Sequence, residues 1–447
     1  MLPFRIKTVL GRFARDHRGN FATIFAASLI PLLGIAGLAT DFGKSSLVKR
    51  RMDVAIDAAS LAALNKTVQL LNEGKTSDAV AISAGEDEGR RYLIAQAAAI
   101  IDGSVQTPTV KITQQGSTLT STVSYDASVP TVFSQFFGKS SFEVDGHSAA
   151  SVTLPPFYDI HVLVDISASM GIGATETDQQ ILYDMKVKVN GKQQKNNCTF
   201  ACHIMQPGYK ETTYTSGRSA GATMRIDIVR SALLQVAQRL LTDPSKRYRL
   251  AIHTLHTKTA TLIPLSNDLA MVKAAINSGV QLAPAYGGTN FHVALRNMDK
   301  TIATPGDGVT QDRAKSAIIF MTDGVEDTQT EQPGSTAITW DPTFVYFSPS
   351  ASDWGGLIQP LNPQLCAPIK QRGIRMIAMN TKYIAPAQDG NAKFVAIRNW
   401  MHLNISRNMQ SCVSSSTDYY DASSPSDIQR ATNEILNSIS KPIALTQ

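Results

Sequence analysis

The first apolar stretch of the chain is continuous rather than periodic. Residues 21–40, FATIFAASLIPLLGIAGLAT, contain no charged side chain. About twenty apolar residues in a helix are enough to cross the hydrocarbon core of a bilayer. No polar face interrupts the segment, as it would in a core helix of a soluble protein. The pattern therefore predicts a transmembrane anchor at residues 21–40, preceded by a basic N-terminal segment at residues 1–20.

Basic residues flank this anchor on both sides: Arg5, Lys7, Arg12, Arg15 and Arg18 precede it, and Lys44, Lys49, Arg50 and Arg51 follow it. We favour a cytoplasmic N-terminus, because a basic flank tends to stay on the cytoplasmic side and long C-terminal domains cross largely regardless of charge. The rest of the chain would then be exported. A cleaved signal peptide is the alternative, although its apolar region usually spans only about 7–15 residues.

Periodic patterns follow the anchor. Apolar residues recur at three- and four-residue intervals and predict that the helix continues with one buried face; they are Val48, Met52, Ala55, Ala59 and Ala62. A second alanine-rich helix is predicted at about residues 86–101. Three runs rich in β-branched residues then predict strands: TPTVKIT, STLTSTVSY and SFEVDGHSAASVTL. Residues 41–154 are therefore expected to form a stalk and a small α+β region.

From residue 155 onward, short apolar runs alternate with helix-like segments. The apolar runs are FYDIHVLVDIS, YRLAIHTLHT, KSAIIFMTDG and RMIAMNT, and the helical segments include MRIDIVRSALLQVAQRLL and PSDIQRATNEILNSI. This alternation predicts a doubly wound, Rossmann-like α/β domain with a parallel sheet. We place the domain at residues 155–441, with a short tail at residues 442–447.

Length and charge narrow the class of protein. A chain of 447 residues is too long for one ordinary core, so two or three domains are expected. The net charge is +6, but the basic residues are scattered and form no long run. Binding of nucleic acid is therefore not expected, whereas a position near an anionic membrane surface would fit the charge.

Five oxygen-bearing side chains are predicted to converge at the carboxyl edge of this sheet: Asp165, Ser167, Ser169, Thr289 and Asp323. The aspartates and serines follow strands, and the threonine lies in a glycine-rich loop before a helix. Ligands of such sheets bind at this edge. Two carboxylates and three hydroxyls suit Mg²⁺ or Mn²⁺ better than zinc or copper. The alternative is that the serines only cap a helix and the second aspartate lies in a turn.

Two polar segments interrupt the strand–helix alternation and are interpreted as insertions, at about residues 171–222 and 328–362. Long loops on a rigid scaffold are where recognition usually resides. We therefore expect them to select a partner bound at the predicted metal site, with surface decoration as the alternative.

The four cysteines are Cys198, Cys202, Cys366 and Cys412. An even number in an exported domain suggests two disulfides. The motif CTFACH favours a local bridge between Cys198 and Cys202, which leaves Cys366 to pair with Cys412. A zinc site and free thiols are the alternatives, but the neighbouring His203 supplies only one of the two further ligands that zinc would need.

The N-terminal pattern resembles a known family. Roughly residues 12–65, which include the run from FARDHRGNF to DAASLAA, are similar to the N-terminal region of TadG-like proteins of the Tad/Flp pilus-assembly system. The resemblance continues more loosely over residues 66–153. It implies a bacterial inner-membrane protein that crosses the membrane once, with a pilin-like region and a periplasmic C-terminal domain. Ile24 stands where relatives processed like prepilins carry glutamate, which favours a retained anchor.

The C-terminal motifs DISASM, GGTNFHVAL and FMTDGVED resemble those of the von Willebrand factor A fold over about residues 157–439. In that family the pattern Asp-x-Ser-x-Ser, a distant threonine and a later aspartate form a metal-ion-dependent adhesion site. The resemblance implies that the two serines and the threonine contact the metal, while the aspartates act directly or through water. It also implies an open coordination position for an acidic residue of a protein partner.

An enzymatic role is not expected. No Ser-His-Asp order is evident and no P-loop motif occurs, and packing or surface roles suit His161, His253 and His256. The predicted function is a membrane-anchored, metal-dependent protein-binding component of Tad/Flp pilus assembly or anchoring, whose partner is a pilus or envelope component. The alternatives are an adhesin or envelope scaffold unrelated to pili, and a magnesium-dependent hydrolase.

Overall fold

The structure is a computed structural model, and it describes residues 20–73, 76–101, 108–189, 192–199, 213–243, 245–278, 282–285, 287–329, 345–347, 356–382, 384, 397–422, 425–439 and 445–446. The chain forms two compact units, one made of residues 1–154 with 444–447 and the other of residues 155–443. Each unit has its own hydrophobic core.

The first unit begins with one long helix, α1 (Asn20–Glu73), in which the apolar segment runs without a break into the amphipathic segment. Its N-terminal half is long and apolar enough to cross a membrane, and only 6% of its most apolar window is buried by protein. The C-terminal half buries Met52, Ile56 and Leu64 instead. The change from all-round apolar to one-sided apolar therefore occurs within a single helix, as the sequence predicted.

Helix α2 (Asp78–Ile100) packs against α1. It begins eight residues earlier than the alanine-rich pattern predicts, because the buried stripe of small residues that includes Gly89 starts ahead of that pattern, at Ala81 and Gly85. A Cβ atom on Gly85 would lie 2.7 Å from the carbonyl oxygen of Ala63 on α1. The small residues therefore let the two helices approach closely.

Three antiparallel strands complete this core: β1 (Thr109–Gln115), β2 (Thr118–Pro130) and β3 (Ser141–Thr153). The side chains of β2 alternate between buried positions and positions that are partly or fully exposed along its whole length, as expected for a sheet with one face against the core. A two-residue strand, Leu445–Thr446, pairs with β3. The chain thus returns to its first unit after completing the second.

The second unit is built on eleven further strands and eight helices among the described residues: β4 (Tyr158–Asp165), α3 (Glu176–Asp184), β5 (Lys186–Val189), β6 (Lys192–Lys195), α4 (Thr213–Ser219), α5 (Arg225–Leu241), β7 (Tyr248–Leu255), β8 (Thr259–Ser266), α6 (Leu269–Asn277), α7 (Phe291–Thr301), β9 (Lys315–Thr322), β10 (Val325–Gln329), β11 (Val345–Phe347), β12 (Gly356–Pro360), α8 (Ala367–Gln371), β13 (Arg375–Asn380), α9 (His402–Cys412), β14 (Tyr419–Asp421) and α10 (Pro425–Ile439).

The main sheet of this unit has the strand order β14-β13-β9-β4-β7-β8. All neighbouring strands are parallel except β8, which pairs antiparallel with β7 at the edge. In chain order, β7 and β8 are added on one side of β4, and β9, β13 and β14 are then added on the other side. The topological switch point therefore lies between β4 and β9. The predicted doubly wound fold is therefore confirmed, whereas the edge strands β8 and β14 were not predicted.

Both predicted insertions carry secondary structure rather than loops alone. The first contains α3, the hairpin β5–β6 and α4, and its side chains Leu182 and Tyr214 are buried in the core of the unit. In the second, β10 and β11 pair antiparallel with β12. Residues 200–212, 330–344 and 348–355 of these segments lie outside the described residues.

Candidate functional site

Asp165 and Asp323 lie beside the switch point of the sheet. Asp165 is the last residue of β4, and Asp323 directly follows β9, its parallel neighbour. Both side chains are fully buried. Two carboxylates are thus brought to the carboxyl edge at the position where doubly wound sheets bind their ligands.

Hydrogen bonds from two residues, Ser167 and Thr322, hold the carboxylate of Asp165. The backbone N–H of Ser167 donates to Oδ1 at 2.9 Å, and the hydroxyl of Thr322 donates to Oδ2 at 2.6 Å. Thr322, the last residue of β9, was not singled out by sequence reasoning. Thr322 directly precedes Asp323 and lies on β9, the strand next to β4, and parallel strands end side by side. Its position in the sequence could therefore have identified it as a neighbour of Asp165.

Ser167 and Ser169 face each other in the loop that follows β4. Their hydroxyl oxygens are 3.1 Å apart, and Ser167 is buried. Ser167 precedes a short 3₁₀ turn, Ala168–Gly171, but its side chain makes no capping hydrogen bond there. Helix capping therefore does not account for this hydroxyl, and both serines remain available as oxygen donors near the two aspartates.

Thr289 is placed at the same edge by the backbone. The N–H of Ala168 donates to the carbonyl oxygen of Gly287 at 3.2 Å, which fixes the glycine-rich loop against the loop after β4. A Cβ atom on Gly288 would lie 1.9 Å from the carbonyl oxygen of Asp327, so this approach requires glycine. Thr289 is buried. Within the described residues, however, its hydroxyl forms no hydrogen bond with the other four predicted ligands.

A buried cation beside the site was not anticipated from the sequence. Arg225, at the start of α5, directs Nη1 to Oδ2 of Asp323 at 3.3 Å and to the carbonyl oxygen of Ser169 at the same distance. Its Nη2 donates to the carbonyl oxygen of Ile384 at 3.0 Å. The guanidinium thus ties together the loops that follow β4, β9 and β13. The sequence signal for it is weak: in the helix start TMRIDIV, Arg225 lies among apolar residues with one nearby carboxylate, Asp227.

The two carboxylates interact unfavourably with each other in this buried setting. Burial raises the pKa of Asp165 to about 7, and the charge of Asp323 adds to the rise. Burial also raises the pKa of Asp323, although the positive charge of Arg225 opposes that effect. A second positive charge at this edge would therefore stabilise both ionised carboxylates.

The donor set fits a hard divalent cation in its chemistry. Its members are carboxylate and hydroxyl oxygens, which magnesium and manganese prefer. Within the described residues, no group of three or more His, Cys, Asp or Glu side chains could hold a metal. A cation at this site would therefore depend on the hydroxyls of Ser167, Ser169 and Thr289 as well as on the two aspartates.

Glu326 supports the loop that carries Thr289. Its side chain is buried, and it accepts hydrogen bonds from the backbone of Phe291 and His292 in the first turn of α7 and from the side chain of Gln359. Burial raises the pKa of this carboxyl group. The acidic side chain thus satisfies amide groups at a helix N-terminus, where negative charge is favourable.

The first insertion is fastened directly beside the site. Asp178 on α3 accepts a hydrogen bond from the backbone N–H of Thr223 at 2.9 Å. Gln179 donates to the carbonyl oxygen of Ile384, the same atom that Arg225 contacts. The side chains of Lys186 and Lys188 on the adjoining hairpin are exposed. A basic surface therefore lies on the segment that is attached to the edge of the site.

A disulfide joins Cys366 and Cys412, both fully buried, and ties the segment before α8 to the end of α9. This is the pairing expected from the sequence if Cys198 and Cys202 are bonded to each other. Cys198 is also disulfide-bonded. Its expected partner, Cys202, lies outside the described residues.

One serine has the spacing of a hydrolase nucleophile motif. Gly217–Gly221 reads GRSAG, which matches G-x-S-x-G. In hydrolases that serine sits on a turn between a strand and a helix. Here Ser219 is the last residue of α4, and its hydroxyl donates to the carbonyl oxygen of Thr215. The surrounding structure is therefore not that of a nucleophile elbow.

A family model matches the N-terminal segment of the chain. Residues 19–68 match the family model described as putative Flp pilus-assembly TadE/G-like. These residues span the apolar part of α1 and its amphipathic continuation. The resemblance predicted from the sequence is therefore confirmed for this segment. A comparison with curated proteins finds no match.

Solved structures similar to this chain include pilus proteins. They include the pilus adhesin SpaC from Lactobacillus rhamnosus GG in an open conformation (15% identity, TM-score 0.37, 75% of this chain and 34% of that one). The von Willebrand factor domain of the type V pili tip protein Mfa5 from Porphyromonas gingivalis is also similar (12% identity, TM-score 0.35, 64% of this chain and 96% of that one). BatB from Bacteroides thetaiotaomicron is similar as well (13% identity, TM-score 0.32, 64% of this chain and 100% of that one). The chain thus spans about a third of SpaC, and no function is transferred from these proteins.

Proposed function

We propose that this chain is a membrane-anchored, metal-dependent protein-binding component of Tad/Flp pilus assembly or anchoring. One observation carries the proposal: buried oxygen donors from two neighbouring strands meet at the switch point of an α/β sheet, in a chain whose N-terminus is TadE/G-like. The predicted metal site would also suit an adhesin or scaffold unrelated to pili. The TadE/G-like N-terminal segment favours the pilus function over that alternative.

The residues that would hold the metal are Asp165, Ser167, Ser169, Thr289 and Asp323. If the three hydroxyls contact the metal directly and the two aspartates act through water, a bound Mg²⁺ or Mn²⁺ would keep enough positive charge to attract an acidic side chain of a partner. Neighbouring residues of the chain position these ligands. Thr322 orients the carboxylate of Asp165, and Arg225 holds Asp323 in place.

Metal binding is tested by titrating the full-length protein in detergent with Mg²⁺ and Mn²⁺ in a calorimeter. Thr289 is the most informative position, because its hydroxyl lies outside the hydrogen-bond network of the other four residues. Thr289→Ala should weaken binding by about tenfold or more, whereas Thr289→Ser keeps the hydroxyl and should retain binding. Absence of heat for the wild-type protein, or equal binding by both variants, would refute the metal assignment.

Partner binding is tested in cells that assemble the pilus. Crosslinking in the envelope, followed by purification of the full-length protein, should recover a pilus or envelope protein with wild type and Thr289→Ser. Recovery should fall with Thr289→Ala and after chelation of divalent cations. Equal recovery in all samples would remove the metal from the interaction. Hydrolysis of phosphoesters by the purified full-length protein would instead support the hydrolase alternative.

The exposed lysines of the hairpin β5–β6 would favour an acidic partner. Lys186→Glu with Lys188→Glu should reduce partner recovery while leaving magnesium affinity unchanged, since both side chains point away from the core of the unit. This substitution is preferable to deleting the insertion, because Leu182 and Tyr214 within it are part of the core.

Within this proposal, residues 21–40 of α1 cross the inner membrane once, with the N-terminus in the cytoplasm and residues 41–447 in the periplasm. Alkaline phosphatase fused to the C-terminus should be active, and a fluorescent protein that folds only in the cytoplasm should be dark at the same position. The opposite pair of results would reverse the orientation.

A further inference from the structure

Four large apolar side chains are exposed together in one short loop of the first unit. The apolar loop, Thr131–Gly138, connects β2 to β3, and its exposed side chains are Val132, Phe133, Phe136 and Phe137. Phe136 is 80% exposed and Phe137 is 64% exposed. Scattered exposed apolar residues are ordinary, but two phenylalanine rings next to each other at a loop tip mark a surface that another apolar phase covers.

The apolar loop lies against the membrane-spanning part of α1. A Cβ atom on Gly37 would be 2.6 Å from Cβ of Phe133, and one on Gly34 would be 2.9 Å from Cζ of Phe137. The segment predicted to span the bilayer ends at residue 40. Gly34 is six residues earlier, which at the rise of an α-helix is about 9 Å below that end. The rings therefore lie beside a part of α1 that the bilayer itself would surround.

Asp41 fixes the loop in this position. Its buried carboxylate accepts hydrogen bonds from the backbone N–H groups of Val132, Phe133 and Ser134, at 3.0, 2.9 and 2.6 Å, and from the hydroxyl of Ser134 at 2.7 Å. Backbone N–H groups without partners are costly in an apolar environment. The same contacts that hold the loop against α1 thus satisfy its amides at the depth where water is scarce.

We propose that the apolar loop inserts into the outer leaflet of the same membrane and forms a second, interfacial contact beside the anchor. This proposal rests on the membrane-spanning role of α1 proposed above. Interfacial elements bury apolar side chains to about 5–10 Å at the headgroup boundary, which agrees with the position of Phe137 beside Gly34. Lys139 follows the loop, is exposed, and has its ammonium group 4.3 Å from the centroid of the Phe142 ring. In the proposed arrangement it would interact with lipid phosphates. Two contacts with the bilayer restrict rotation of the first unit about the axis of α1.

The occupant is identified by photocrosslinking in the full-length protein, reconstituted into vesicles of phosphatidylethanolamine and phosphatidylglycerol. The photoreactive residue p-benzoylphenylalanine replaces Phe136, Leu32 in the anchor, or Gln115 at the opposite end of the sheet. Leu32 and Phe136 should crosslink to lipid, and Gln115 should not. Lipid crosslinks at Leu32 without any at Phe136 would overturn the loop proposal and leave the anchor intact. Absence at both positions would reject the anchor and the loop together, and a protein crosslink at Phe136 would replace lipid with a protein partner.

The hydrogen bonds from residues 132–134 to the carboxylate of Asp41 form a clamp on the loop, and a substitution at Asp41 tests its role. Asp41→Ala should lower lipid crosslinking from position 136 severalfold without changing that from position 32. Asp57→Ala, which removes an exposed carboxylate from the same helix, is the matched control and should change neither yield. An unchanged yield from position 136 in the Asp41 variant would show that the loop does not depend on the clamp for insertion.

Discussion

The guanidinium of Arg225 lies 3.3 Å from the carboxylate of Asp323, and neither side chain reaches solvent to more than 2%. Removing one partner of a buried ion pair costs about 3–5 kcal/mol, because the other charge stays buried without compensation. Arg225→Met should therefore lower the free energy of unfolding by about 3 kcal/mol. Chemical denaturation of the full-length protein in detergent measures this loss.

Divalent cation should offset the loss in the Arg225→Met variant. Because a bound cation would replace the missing positive charge, Mg²⁺ should raise the midpoint of unfolding more in the variant than in wild type. Arg249→Met is the control, since the ion pair of Arg249 with Asp159 is partly exposed and worth about 1 kcal/mol or less. Equal effects of Mg²⁺ on all three proteins would contradict this electrostatic account.

Acid sensitivity should arise from the histidine pair on β4 and β7. Nδ1 of His161 is 3.1 Å from Nε2 of His253, and both rings are buried. Burial lowers the pKa of His161 to about 3 and that of His253 to about 4, from an ordinary value of 6.5. The unfolded chain therefore binds more protons than the native one below pH 6.5, so stability is complete above that pH and falls as the pH drops toward 4. The loss is about 2 kcal/mol per histidine at pH 5.

Replacing both histidines with leucine should flatten this dependence. In the double variant His161→Leu with His253→Leu, the free energy of unfolding should differ between pH 5 and pH 7 only by the contribution of carboxylates. Denaturant titration at each pH measures this difference. The exposed hydroxyl of Thr261, now bonded to His253, can turn to water instead. A slope equal to that of wild type would mean that other groups dominate acid unfolding.

The Cys366–Cys412 disulfide should contribute strongly to the stability of the second unit. It closes a loop with a sequence separation of 46 residues, for which chain entropy predicts about 4 kcal/mol. The double variant Cys366→Ala with Cys412→Ala should lose about 2–4 kcal/mol in denaturant titration. Reductant should destabilise wild type more than the variant. Equal stability of the two proteins under oxidising conditions would show that the bridge is dispensable.

The close packing of α1 and α2 should not tolerate a methyl group at Gly85. The added carbon would approach the carbonyl oxygen of Ala63 and the hydroxyl of Thr67. Gly85→Ala should therefore destabilise the first unit by about 1–3 kcal/mol. Gly43→Ala is the matched control, since a Cβ atom there meets no atom within 4 Å. Proteolysis of the full-length protein, followed by mapping of cleavage in residues 41–154, would report both effects, and equal cleavage of the two variants would argue against helix contact at Gly85.

The sequence by itself determined the elements whose chemistry is local. The uncharged segment at residues 21–40 has no polar side to face water, so its ability to span a bilayer as a helix follows from composition alone. The buried strands β4 and β9 could be read directly, because a strand covered on both faces must be apolar throughout. The residues at the ends of these strands then followed, which is why Asp165 and Asp323 were named as a pair.

Only the tertiary structure decided which groups surround that pair. Arg225 arrives from a helix sixty residues after β4, and a single arginine in a helical pattern looks the same whether it faces solvent or a buried carboxylate. The histidine pair and the Asp41 clamp on the apolar loop are equally invisible in the sequence, since each joins side chains about ninety residues apart. Periodicity reports which face of an element is buried, but the choice of its neighbours depends on how strands are ordered and helices are packed, which no local pattern encodes.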